Sequence, residues 1–217
     1  MPSLFAQSEL SDLIEKVDKG ERLDFEAGVR MMDSQDILAL GYMANLVRER
    51  KNGNRTYFID NRLMDHTKPE DLQAITFSLK EIEAAVRHEV TTRTNAATVL
   101  YGNIESTKER IDHLLGFRVL QDRNGVFQTF IPMGVGDTTG FEDLKMLAIS
   151  RILLDNFDHI QAFWLMLGPK LAQVSLAFGV DDLETSQAMS KQALIHMIKK
   201  AGRNAVERDP LYRVVRA

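Results

Sequence analysis

Lys170 and Gln173 follow Met166-Leu167-Gly168-Pro169, where a proline suited to a first helical turn closes an apolar run. A lysine at a helix N-terminus suits a carboxylate or phosphate, because free amide groups and a positive side chain meet there. The plainer alternative is a solvated first turn. Glu105 comes shortly after another run, Leu100-Tyr101-Gly102. There the glycine permits close approach to the backbone, and the acid is either a group at a strand's mouth or a favourable helix start. Pro132 ends a further run, and Trp164 lies inside one, where it could line a pocket or fill a core. Asp155, Asp158 and His159 are metal-binding residue types, but His159 begins its strand and so lies at the stability end of the sheet. The 217 residues include no cysteine. That excludes disulfides, a thiol nucleophile, thiolate zinc and a cysteine-ligated iron–sulfur cluster.

These residues need strands and helices to position them. Thr94–Gly102, Phe127–Pro132 and His159–Met166 read as apolar strands, each followed by an amphipathic helix. Strands separated by helices pair in parallel through right-handed crossovers, and ligands then collect at their carboxyl ends. Ser106-Thr107-Lys108-Glu109 and Thr139-Gly140-Phe141-Glu142 are capping boxes. The first helix should bury Ile111, Leu114, Leu115 and Val119, and the second Phe141, Leu144, Ala148 and Ile152. Gly179 is placed to end the third in the left-handed conformation.

Upstream, Leu10, Leu13, Ile14 and Val17 predict a short helix and Phe25–Met32 a second. Ser34 is the expected cap of a third, with Arg48, Arg50 and Lys51 near its negative end. Arg55–Asp60 reads as a strand. In 61–92, either one helix follows Thr67–Glu70, or Ala74–Phe77 is a strand and Leu79–Val90 a helix. Ser190 should cap a last helix on Leu194, Met197 and Ile198, leaving Val206–Ala217 as a charged surface tail.

The expected fold is α/β: a partial (βα) barrel-type parallel sheet of about four or five strands with surrounding helices. No linker divides the chain, so a single domain is expected, with an N-terminal helical segment 1–52, a βα core 55–183 and a C-terminal helix and tail 184–217. A formal charge of −4 argues against nucleic acid. No run reaches the ~20 apolar residues of a membrane span, so a cytoplasmic setting without a membrane partner is expected.

Several blocks carry a resemblance. Arg93-Thr94-Asn95-Ala96, Leu100–Glu105, Arg110–Leu115, Leu120-Gln121-Asp122, Asp155–Ile160, Met166–Gln173, Phe178–Leu183 and Glu207–Tyr212 are similar to aminofutalosine synthase. The similarity spans Ser8–Arg62 and Glu83–Leu211. That family is a radical S-adenosylmethionine (SAM) enzyme of the futalosine route to menaquinone. The resemblance implies a (βα) barrel, a [4Fe–4S] cluster, SAM, and transfer of an adenosyl group to a chorismate-derived enol ether. It places Leu100, Tyr101, Gly102 and Glu105 beside SAM, and Asn95, Pro132, Trp164, Lys170 and Gln173 beside the substrate.

The departures are as specific. Where the family pattern leads into a C-x-x-x-C-x-x-C loop, Asn61-Arg62 runs into Leu63-Met64-Asp65-His66. The glycine-rich strand that contacts SAM is missing too. Against the usual ~250-residue barrel, about 100 or more residues are absent before Glu83. The expectation is a chain that holds neither cluster nor cofactor and is inactive as it stands. A natural remnant, an engineered miniature and part of a longer chain all remain open as origins. Such a chain could still bind a small nucleoside-like ligand, or self-associate through exposed sheet edges.

Overall fold

The computed structural model describes residues 4–59, 96–102, 105–184 and 189–216. The chain opens with three helices, α1 (Ser11–Asp18), α2 (Phe25–Asp33) and α3 (Ile37–Asn52). Leu10, Leu13, Ile14 and Val17 are buried, as their spacing requires. Asp24 caps α2 by accepting from the Ala27 amide at 2.9 Å. The cap of α3 is Asp36, which accepts from the Ala39 amide at 3.0 Å, and not Ser34. Ser34 instead ends α2 in an extended conformation and donates to Glu9 at 2.5 Å. Helix α3 starts too late for the Ser34 hydroxyl to reach its first turn.

Strand β1 (Arg55–Ile59) follows α3. Next come β2 (Ala96–Tyr101), α4 (Thr107–Asn124), β3 (Thr129–Gly134) and α5 (Gly140–Leu153). The chain continues through β4 (His159–Ala162), α6 (Trp164–Ser175), β5 (Asp182–Glu184) and α7 (Lys191–Lys200) to β6 (Asn204–Arg208) and β7 (Val214–Arg216). Among the described residues the strands form one seven-stranded sheet in the order β2-β3-β4-β5-β1-β6-β7. Every neighbouring pair is parallel except β6–β7. This is the α/β, barrel-type parallel sheet that the βα rhythm predicts.

Both capping boxes form: Ser106 with Glu109, and Thr139 with Glu142. Ser190 caps α7 through the Ala193 amide at 3.2 Å. Several expectations are corrected. The sheet has more strands than four or five, because β5 is three residues long and too short to show a period. Strands β6 and β7 lie in the supposed surface tail, where Val206 and Arg208 are buried. Strand β4 stops at Ala162, so Trp164 begins α6 instead of filling a central strand. Within α6, Gly168 (φ 73°, ψ 161°) breaks the helical path just before Pro169.

Helix stripes are rotated relative to the sequence reading. Helix α4 buries Ile111, Leu114, Phe117 and Leu120 and leaves Val119 46% exposed. Helix α5 is buried almost all round, because α2 and α3 pack on one side of it and β3 and β4 on the other. Only its first turn is open, where Phe141 is 38% exposed. The N-terminal helices are fastened through cations on backbone carbonyls. Lys145 donates to Met32 O and to Ser34 O (2.8 Å) at the end of α2, and burial lowers its pKa. Arg118 donates to Leu23 O at 2.8 Å and Leu153 O at 3.2 Å. Both alternatives for 61–92, one helix or a strand and a helix, lie outside the described residues.

Gly179 lies three residues beyond the Leu176 that caps α6, with φ +86°. A Cβ there would meet Arg151 Cβ at 2.6 Å, Arg151 Cγ at 2.7 Å and Ala44 Cβ at 2.9 Å. Left-handed backbone and overpacking together make Gly179→Ala cost about 2–5 kcal/mol. Urea unfolding of the variant measures this, and a loss under ~1 kcal/mol would mean that Arg151 moves aside freely.

Candidate functional site

A parallel sheet sends the chain out of every strand on one side, so β2, β3 and β4 deliver Tyr101–Gly102, Met133–Gly134 and Ala162–Phe163 together. On the face away from the main core, Leu100 packs with Ile131, Met133, Phe163 and Ala96 as a small apolar cluster. Tyr101 faces the other way and is buried, and its hydroxyl donates to Asp143 Oδ1 at 2.7 Å. Burial, followed by the Asp143 charge, raises its pKa well above the ordinary phenol value. The Arg110 guanidinium carbon lies 5.8 Å from the Tyr101 ring centre.

Gly102 has φ +106°, and a Cβ on it would approach Thr138 Cγ2 at 2.4 Å and Val135 O at 2.5 Å. The Val135 amide also donates to Tyr101 O at 2.7 Å. The close approach that this glycine permits is therefore taken up by the chain's own loop after β3. Pro132 stands opposite Val99, beyond the residues through which β3 pairs with β4. Its missing N–H costs no ladder bond there.

The remaining sequence candidates separate. Glu105 is half-buried just before the capping Ser106. Trp164 is buried at the start of α6, and its indole N–H has no partner among the described residues. Lys170 is exposed to solvent. Gln173 is turned to α7, donating to Met197 O at 2.9 Å, and so joins two helices. Asn95 lies outside the described residues. No group of His, Cys, Asp and Glu suited to a metal ion occurs among the described residues.

The densest polar assembly is at the opposite, amino-terminal end of the sheet, and sequence reasoning had no role for it. Asp181 is fully buried and accepts four bonds. Oδ1 takes the Arg151 guanidinium and the Ile160 amide (2.9 Å), while Oδ2 takes Asn52 (2.8 Å) and His159 Nδ1 (2.6 Å). Arg151, itself fully buried, also donates to Gly179 O at 2.8 Å and Asp158 O at 3.3 Å. Burial lowers its pKa against the pull of Asp181.

The adjacent Asp182 accepts a fork from Arg208, at 3.0 and 2.5 Å, and the Tyr212 hydroxyl at 2.5 Å. Burial raises the Asp182 pKa, and Arg208 opposes that rise. The Tyr212 ring stacks on His159, with centroids 4.1 Å apart and planes 7° from parallel. Arg208 covers its other side at 3.9 Å. Tyr212 has φ 58°, a left-handed backbone that this set of contacts over-determines.

A carboxylate whose lone pairs are all engaged has no capacity left for substrate or proton transfer, so Asp181 is a structural keystone. The usable sequence signal was the pair Asp181-Asp182 set directly between the apolar Val180 and Leu183. Burying two adjacent acids demands partners. Asp181→Asn leaves Arg151 buried without its counter-charge, and the expected cost is about 3–5 kcal/mol. Tyr212→Phe should cost ~1–2 kcal/mol, and Lys170→Ala less than ~0.5. Chemical denaturation of the three variants checks the order, and a nearly silent Asp181→Asn would remove the keystone role.

Residues 118–207 match the family described as the CofH/MqnC C-terminal region. The chain is 42% identical over 158 residues to an aminodeoxyfutalosine synthase of Thermus thermophilus, covering 59% of this chain and 42% of that protein. It is 34% identical over 155 residues to the Streptomyces coelicolor protein of the same name, covering 55% and 40%. A cyclic dehypoxanthine futalosine synthase of Streptomyces coelicolor is 38% identical over 141 residues, covering 54% and 35%. The chain thus spans about two fifths of the length of the curated relatives it matches. Among solved structures, the hydrogenase maturase HydG from Carboxydothermus hydrogenoformans superposes with a TM-score of 0.64 at 12% identity, covering 96% of this chain and 81% of that one. At that identity the likeness concerns the fold.

Proposed function

We propose that this chain, a relative of aminodeoxyfutalosine synthase, retains the scaffold of that enzyme without its radical chemistry. What carries the reading is the contrast between the residues kept and the residues the chemistry requires. The blocks Asp155–Ile160, Phe178–Leu183 and Glu207–Tyr212 carry the resemblance, and they also supply the buried Asp181 and Asp182 networks. A cluster of the implied kind needs thiolate ligands, and the 217 residues contain no cysteine. The donor set does not fit the group, so no reaction step passes through it.

With the cluster gone, the methionine end of SAM loses its anchor, and Gly102 is packed by Thr138 and Val135. Loss of several kcal/mol moves micromolar binding beyond ~1 mM. The chain is read as a cofactor-free cytoplasmic protein. After anaerobic treatment with iron and sulfide it should stay colourless, and reductant plus SAM should give no 5′-deoxyadenosine. A brown protein that cleaves SAM above a buffer control would defeat the reading. Micromolar, saturable SAM binding that disappears in Glu105→Ala or Lys170→Ala would replace it with a ligand-binding role.

A second reading, self-association, is favoured by the ends of the sheet. Strands β2 and β7 each have a strand neighbour on one side among the described residues, and β7 presents Val214 and Val215, both more than half exposed. Open edges pair with other chains unless they are blocked. Sedimentation at tens of micromolar should show a dimer or larger species, and a clean monomer at that concentration would exclude edge pairing.

A further inference from the structure

We propose that the groove between α7 and strands β1 and β6 binds small organic anions with a flat apolar body, an aryl phosphate or aryl carboxylate. The groove encloses about 530 Å³, within the ~300–1,000 Å³ typical of small-molecule sites. Phe58 and Ile195 contribute apolar wall, and Arg55, Lys191, Lys199 and Glu207 supply its charges. Phe58 and Glu207 are register partners on neighbouring parallel strands, so their side chains share a face of the sheet. Lys191 reaches that face from α7 and holds both Glu207 oxygens at 2.6 Å.

The pair Lys191–Glu207 is internally neutral, which leaves two cations. Among the described residues neither Arg55 nor Lys199 has a carboxylate partner, and Arg55 donates a long bond of 3.4 Å to the Tyr57 hydroxyl. Both side chains are exposed, so neither charge is committed to the core. The chain as a whole carries −4. A cationic groove on an acidic protein is a local feature and not a by-product of a basic surface.

Chemistry narrows the occupant. Exposed cations hold inorganic phosphate weakly, since water and salt compete for both partners. An apolar ring alone has no group to orient it. A molecule with both parts can place its anion between the guanidinium and ammonium, and replace water along Ile195 and Ala205.

The test titrates 1-naphthyl phosphate into the protein by calorimetry, with 1-naphthol and inorganic phosphate as separate arms. One-to-one saturable binding is expected, with either arm at least ~10-fold weaker, a loss of ~1.4 kcal/mol or more. Arg55→Gln with Lys199→Gln should weaken the naphthyl phosphate by the same factor, and both sites are exposed enough to leave folding intact. Ile195→Asp should abolish binding, and Lys170→Gln should leave it unchanged. The proposal is overturned if the double variant binds as the parent does, if phosphate alone binds as tightly, or if no titration saturates.

Discussion

A single buried carboxylate holds this sheet in register. Asp181 gathers a side chain from α3 (Asn52), one from α5 (Arg151), and the side chain and backbone amide at the start of β4 (His159 and Ile160). The donors come from two helices and one strand, so the carboxylate can be satisfied only when helices and sheet are already in their final relation. Burying a charge costs far more than any one of these bonds returns. The alternative arrangements are therefore penalised more heavily than the native one is rewarded, which makes the network a device of specificity as much as of stability.

The neighbouring Asp182 extends the same logic to the C-terminal segment. Arg208 and Tyr212 converge on Asp182, which receives a fork from the first and a bond from the second. Tyr212 accepts a left-handed backbone in return for a stack on His159 and a bond to Asp182. Strand β6 is thereby held against β1 and supplies a second parallel neighbour to a strand already paired with β5. The amino-terminal end of the sheet becomes a closed polar core, in keeping with the division of labour in (βα) folds, where that end serves stability.

The carboxyl-terminal end differs in kind. There Tyr101 donates to Asp143 across 42 positions, and Gly102 is packed by an adjoining loop. The apolar cluster of Leu100, Ile131, Met133 and Phe163 offers shape without directed charge. Groups that could hold a charged ligand are more available on the outer groove, where Arg55 and Lys199 face solvent without carboxylate partners among the described residues. Affinity for anions in this chain follows from where cations are left uncommitted, and that is not where the strands end.

Sequence by itself determined the parallel α/β sheet, since helices separate the apolar runs and forbid hairpins between them. It also determined the two capping boxes, because Ser106 with Glu109 and Thr139 with Glu142 interact within one turn. The absence of thiolate chemistry likewise needs only the residue list. Tertiary structure alone decided the rest. The face that α4 buries and the all-round burial of α5 depend on which neighbours arrive, and a helical period cannot specify neighbours. Strand β5 is too short to carry a period, and β6 ends in Arg208, a charged residue that becomes core only through partners such as Asp182. The pairing of Asp181 with Asn52 spans 129 positions and that with Arg151 spans 30. Local propensity reaches across a turn or two, whereas a buried charge is satisfied by whatever the whole fold brings to it.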